Sequence, residues 1–369
     1  MAHLLVEVGA LPDDEVEMSR IPFFGSRSRR TKGTSVTLGF AFINVVVFGV
    51  TMAINDCYRN SHGQCSLKFL KRFSFQPISE NALLGPAAST LVQLGALERT
   101  LMSQNQIWRL FTSMWLHVGL IHLVVNLSGL IFIGFRLEKA FGSWRVGMIY
   151  SLSSFVGSLV AAIFIRVGPT VVSSSALFGL IGALFVDLIR NWHIYYNKLE
   201  ALFFLFLAFI PNFLLGMLPI VDNASNIAGF FSGVLLGFTL LYDPVLGNPR
   251  RGLYDLSLKG AAEIEVKLDK PVLRIVSGIL FGVILAGGLL AVLLGVNGNK
   301  YCHFCHYLDC VPSKRWSCME HVAECTEIVH GGRMTLTCIG NEQFWTFPFA
   351  DISKPRLKDL CDQICNSHI

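Results

Sequence analysis

The stretch Val172-Ser173-Ser174-Ser175-Ala176-Leu177-Phe178-Gly179-Leu180-Ile181-Gly182 opens an apolar run that continues to Ile189 and is closed by Arg190. Three consecutive hydroxyls at the head of such a run are unusual, because a buried hydroxyl needs a partner and lipid offers none. Taken alone, they read as helix capping with small-residue packing: serine satisfies free N–H groups, and Gly179 and Gly182 admit a neighbour. That reading is insufficient beside a second stretch, V-D-N-A-S-N-I-A-G-F-F-S-G-V-L-L-G from Val221 to Gly237. Its Gly229, Gly233 and Gly237 recur every four residues, a ridge whose natural partner is the small face at Ser175, Gly179 and Gly182.

Composition places both stretches in a membrane. The chain has 369 residues, 53% of them hydrophobic and 15% charged, against about a quarter charged in a soluble protein. The net charge of +5 does not indicate nucleic acid, because the basic residues cluster at the ends of apolar spans, as cytoplasmic flanks do. No cleavable signal peptide or transit peptide is visible in residues 1–20, which carry Asp13, Asp14, Glu15 and Glu17.

The spans read as Ser35–Ile54, Val118–Leu137, Val146–Ile165, Ser174–Ile189, Leu199–Leu218, Asn226–Leu241 and Ile275–Val296. Each is long enough to cross a bilayer or nearly so at ~1.5 Å per residue. The expected fold is therefore an all-α polytopic membrane protein. Residues 1–34 form a cytoplasmic segment, 35–241 a six-span core, 242–274 a cytoplasmic linker, 275–296 a seventh span and 297–369 a Cys-rich lumenal or extracellular tail. Arg27, Arg29, Arg30 and Lys32, the Arg136–Arg145 junction and Arg250–Arg274 put the N-terminus in the cytoplasm. The ten cysteines avoid the spans: Cys57 and Cys65 follow the first, and the other eight follow the last. An even set on one face implies disulfides in an oxidising compartment. Cys302 and Cys305, with His303 and His306, also have zinc-ligand spacing, but the expected face favours disulfides.

Polar residues inside apolar spans are functional candidates. His122 and Asn126 share one helical face, being four apart. Structural hydrogen bonding between helices explains them equally well. A channel or carrier would need charges in several spans, and only isolated ones such as Asp187 occur.

At this point several motifs, in order, resemble the rhomboid intramembrane serine proteases. They are Trp108-Arg109, H-V-G-L-I-H-L-V-V-N from His117 to Asn126, Glu138, A-L-F-G-L-I-G at 176–182 and the 221–237 stretch. F-Q-P at 75–77, L-G-P-A-A-S-T-L at 84–91 and the cysteine segment at 307–318 are similar to plant members. The resemblance covers residues 35–325 and implies a rhomboid-like six-helix core plus one C-terminal helix.

It also implies a chemistry and its loss. Active members carry G-x-S-G at the head of span four and a histidine on span six that takes the serine proton. A serine hydroxyl is a weak nucleophile without such a base. Here the frame reads Val172-Ser173-Ser174-Ser175, which makes Ser174 the nucleophile position, and N-x-A-H-x-x-G reads Asn223-Ala224-Ser225-Asn226-Ile227-Ala228-Gly229. Asn226 thus stands where the base is expected, and an amide cannot act as a general base near neutral pH. His122 and Asn126 match the oxyanion positions. The side chains of Val172 and Ser175, where the frame has glycines, are expected to displace Ser174 from attack.

The function implied is a rhomboid-like pseudoprotease that binds transmembrane client proteins beside spans two and five, within the lipid bilayer of the secretory pathway (Golgi or plasma membrane). It would alter their trafficking or turnover with no cofactor, metal or nucleic acid. The alternative is a residually active rhomboid serine endopeptidase using Ser174.

Overall fold

The computed structural model describes residues 33–60, 65–165, 168–192, 197–218, 221–242, 271–302, 305, 324–340 and 342–366. The basic stretches at 27–32 and 250–270, and His303, His306, Cys310 and Cys318, lie outside them.

Among the described residues, seven helices are long and apolar enough to cross a membrane: α1 (Ser35–Asn55), α3 (Leu120–Phe141), α4 (Ser143–Phe164), α5 (Ser173–Arg190), α6 (Lys198–Leu215), α7 (Asn223–Leu240) and α8 (Pro271–Leu293). A short helix α2 (Ala88–Leu94) lies in the first loop. Helix starts depart from the hydropathy reading where a capping or Pro signal lies outside the apolar run. Asp222 caps α7, accepting from the N–H groups of Ala224 (2.9 Å) and Ser225 (3.2 Å), so this helix begins three residues before Asn226. The described part of α8 begins at Pro271, a residue suited to a first helical position because it forfeits no intrahelical bond there.

Helix α5 is the axis of the bundle. Every residue from Ser173 to Leu184 is buried, whereas only Ala201, Leu205 and Asn212 are buried in α6. Leu177, Leu180, Ile181, Leu184 and Leu188 of α5 pack with Leu130, Ile133 and Leu137 of α3 and with Ile149 and Val156 of α4. The expected glycine ridge of α7 lies along α5. A Cβ on Gly229 would overlap the Ser175 carbonyl, one on Gly233 the Gly179 carbonyl, and one on Gly182 the Phe230 carbonyl. The pairs 229/175 and 233/179 advance together, so α5 and α7 run parallel at backbone contact.

The first loop folds over the ends of these helices. Asn81 Nδ2 donates to the carbonyls of Pro86 (3.0 Å) and Val118 (2.9 Å). Arg109 is buried and donates through Nη1 to the carbonyls of Val92 (2.6 Å) and Ala96 (2.8 Å). Leu83, Leu91 and Ala96 of the loop pack on Val118, Val171 and Val221, the residues just ahead of α3, α5 and α7.

The tail holds a feature the all-α reading did not contain, a small antiparallel sheet in the order β1 (Cys325–His330), β2 (Arg333–Cys338), β3 (Phe344–Phe347). Gly331 and Gly332, at φ 60° and 76°, make the tight turn between β1 and β2. Helix α9 (Lys354–Asn366) covers one face, with Leu360 and Ile364 against Met334, Leu336 and Phe347. Disulfides join Cys325 to Cys361 and Cys338 to Cys365, tying the sheet to α9. Cys57–Cys65 and Cys302–Cys305 are also bridged.

Candidate functional site

Two loop segments set the site. Val171 and Val221 form a parallel β-bridge, so the chain enters α5 and α7 side by side. Ser174, three residues beyond one partner, and Asn226, five beyond the other, then face each other. Ser174 Oγ donates to Asn226 Oδ1 at 2.7 Å. Asn226 Nδ2 donates to Asn223 Oδ1 at 3.0 Å, and Asn223 Nδ2 to the Phe213 carbonyl at 3.1 Å. All three side chains are buried. The relay has one direction, hydroxyl to amide to amide to main chain, and each step is donor to acceptor. It contains no basic nitrogen that could take the serine proton.

The side chains of Val172 and Ser175 lie away from this contact. Val172 has a negative φ (−127°), outside the left-handed region that favours glycine, and its side chain packs among Leu97, Leu110, Met114 and Leu159. Ser175 Oγ turns back to the Val172 carbonyl (2.7 Å) and to Ser154 Oγ (3.3 Å), against Gly157 of α4. Ser174 therefore keeps its hydrogen bond to Asn226 beside these side chains. The loop is pinned, because Val172 N–H also donates to the Ser113 carbonyl at 3.2 Å.

His122 and Asn126 form a second pair, His122 Nε2 lying 3.1 Å from Asn126 Nδ2. Helices α3 and α5 meet where Gly129 makes room for Leu177. Asn126 and Ser174 each precede that contact by three residues on their own helix. His122 Nδ1 and Asn126 Oδ1 are buried without a hydrogen-bond partner among the described residues. His117, whose ring is 5.2 Å from that of His122, is tied to the Trp115 carbonyl (3.2 Å). Asn223, which orients Asn226, was not singled out from the sequence. Its signal was the N-x-x-N spacing, one helical turn.

The structure thus defines a multi-pass helical membrane protein built around a buried serine–asparagine contact between two tightly packed parallel helices. A family profile for the Rhomboid domain matches residues 104–243. Inactive RHOMBOID-like protein 8 of Arabidopsis thaliana is 47% identical over 312 residues, 83% of this chain and 89% of that protein. RHOMBOID-like protein 1 of the same plant is 42% identical over 328 residues, 87% of this chain and 83% of its own. RHOMBOID-like protein 2 is 43% identical over 303 residues, 80% and 94% of the two chains. The chain belongs to the rhomboid family.

Proposed function

We propose that this protein is a catalytically inactive rhomboid that binds transmembrane client proteins and alters their trafficking or turnover. The observation that carries the reading is the amide relay Ser174–Asn226–Asn223, in which the acceptor for the serine proton is a carbonyl oxygen. Without a base the hydroxyl is not activated, and loss of one member of such a unit removes several powers of ten in rate. The name of the Arabidopsis relative, an inactive RHOMBOID-like protein, agrees with it. Client admission beside α3 and α6 is supported by how lightly α6 is held: Leu199, Phe203, Leu207 and Leu214 all face outward.

The proposed setting is the secretory pathway, at the Golgi or plasma membrane, with a cytoplasmic N-terminus and a lumenal or extracellular tail. The bridged cysteines of the first loop and of the tail lie on one face, while Arg136, Lys139, Arg145 and Arg274 lie at the opposite helix ends.

The test compares cleavage of model transmembrane substrates by the chain and by Ser174→Ala, with an active relative as control. Absence of cleavage in both, with substrate co-purifying, supports the reading. Cleavage that disappears in Ser174→Ala establishes the second reading, a residually active serine endopeptidase, which the intact Ser174 contact and the His122–Asn126 pair favour.

A further inference from the structure

The tail is seated on the first loop through a buried cluster of charges. Arg356 of α9 makes a two-pronged ion pair with Glu80, its Nη2 donating to Oε2 at 2.7 Å. Asp359, one turn on and 4.0 Å from Arg356, accepts from Ser89 at the start of α2, from Oγ at 2.5 Å and from N–H at 3.2 Å. Lys358 reaches Glu98 at 3.5 Å. Arg356 and Asp359 are only 7% and 8% exposed, which an incidental surface contact would not produce. Pro77 of the loop and Trp345, Phe347 and Phe349 of the tail line one cavity between the two segments.

The loop segment so gripped is the one that closes the bundle. Leu91 of α2 is fully buried against Val118, Val171 and Val221. Asn55 at the end of α1 accepts from Ala87 N–H at 2.9 Å and Thr90 Oγ1 at 3.1 Å. Val171 and Val221 lead directly into the turns that carry Ser174 and Asn226, so α2 is packed on that end of the site. We propose that the disulfide-stapled tail is a clamp in cis that holds the first loop shut over the mouth of the bundle, and that the clamp tightens in an acidic compartment.

The sign follows from the charges. Two carboxylates, Glu80 and Asp359, share one guanidinium, Arg356, so the docked cluster carries an excess negative charge that protonation removes. Burial is the first cause that pushes the Asp359 carboxyl up to about 6, with Glu80 adding to it and the Ser89 bonds and Arg356 opposing it. Asp362 is raised as well, by burial, with Glu98 adding to it and Lys358 opposing it. Undocked, Asp359 returns to its ordinary value of 3.8. The docked state therefore binds the proton more tightly. Docking strengthens as pH falls through about 6, and the gain is lost again as pH rises above it. Between pH 7.5 and 5 the expected gain from Asp359 is about tenfold in the docking equilibrium.

The experiment is hydrogen exchange of residues 77–98 in the full chain in lipid nanodiscs, corrected for the intrinsic effect of pH. Protection should rise about tenfold from pH 7.5 to 5. Asp359→Asn, a neutral mimic, should be protected at both values and respond far less. Glu80→Arg should release the segment and open the Arg356–Leu357 bond, whose Arg356 side chain is buried in the docked tail, to trypsin, while exchange in α5 and α7 is unchanged. The swap Glu80→Arg with Arg356→Glu should restore docking and so exclude simple misfolding. Unchanged protection in Glu80→Arg overturns the clamp. Protection that falls or stays level on acidification overturns its pH response.

Discussion

Gly233 of α7 lies directly on the main chain of Gly179 in α5, so closely that a Cβ at 233 would overlap the Gly179 carbonyl and Cα. The contact is backbone against backbone, with no side chain that could move aside. Gly233→Val should separate the two helices and cost about 3 kcal/mol or more, the upper range of overpacking. A fall in melting temperature in detergent checks this. Gly282→Val, where a Cβ meets nothing within 4 Å, should leave it unchanged.

Glu138 holds the far end of the bundle together. Its carboxylate accepts from the N–H groups of Val36 (3.0 Å) and Thr37 (2.9 Å), from Thr37 Oγ1 (2.6 Å) and from Ser143 Oγ (2.7 Å). It thus caps α1 from α3 and ties in the start of α4. Glu138→Gln replaces one acceptor oxygen by a donor facing donors. The expected loss is about 2 kcal/mol, read as a lower melting temperature and faster exchange at Val36 and Thr37. Equal stability would show that the helix starts find other acceptors.

These contacts differ in how far the sequence announced them. The spans were legible because lipid demands long apolar runs, and the 229/233/237 ridge because backbone approach demands glycine at four-residue steps. The Ser174–Asn226 contact was legible only through family resemblance, since spacing says nothing about two residues 52 positions apart. In the tail, His330-Gly331-Gly332-Arg333 between Thr-rich runs was a hairpin signal that the cysteine pattern overshadowed. The Arg356–Glu80 pair joins residues 276 apart and has no local signature. Such pairing is decided by where α9 lands, not by its own sequence.

The tail disulfides should control that landing. Cys325–Cys361 closes 36 residues and ties β1 to α9, and a crosslink of this size stabilises by about 3–4 kcal/mol. In Cys325→Ser/Cys361→Ser, α9 keeps only its Cys338–Cys365 tether and should sit more loosely on the sheet, with tail proteolysis rising at least tenfold while the membrane helices keep their helical signal. A tail that resists protease equally well would show that the Met334, Leu336 and Ile364 core suffices alone.

The relay at Asn226 gives the sharpest test of the functional reading. In Asn226→His, one ring N–H can donate to Asn223 Oδ1, as the amide does now at 3.0 Å. The other ring nitrogen is then left to accept from Ser174, which sits at hydrogen-bond distance already. We expect this single change to make Ser174 reactive toward a mechanism-based serine probe, with labelling abolished by Ser174→Ala. Cleavage of a transmembrane substrate should remain roughly 100-fold below that of the triple change Asn226→His, Val172→Gly and Ser175→Gly. The reason is the pinned loop: Val172 is held by its apolar cluster and by Ser113, and Ser175 N–H and Oγ both bind the Val172 carbonyl. Such a loop cannot rearrange around a tetrahedral intermediate, whereas glycines at 172 and 175 would free it. Full cleavage by Asn226→His alone would show that the loop kept its catalytic shape, and absence of probe labelling would show that the relay does not hold the ring in register with Ser174.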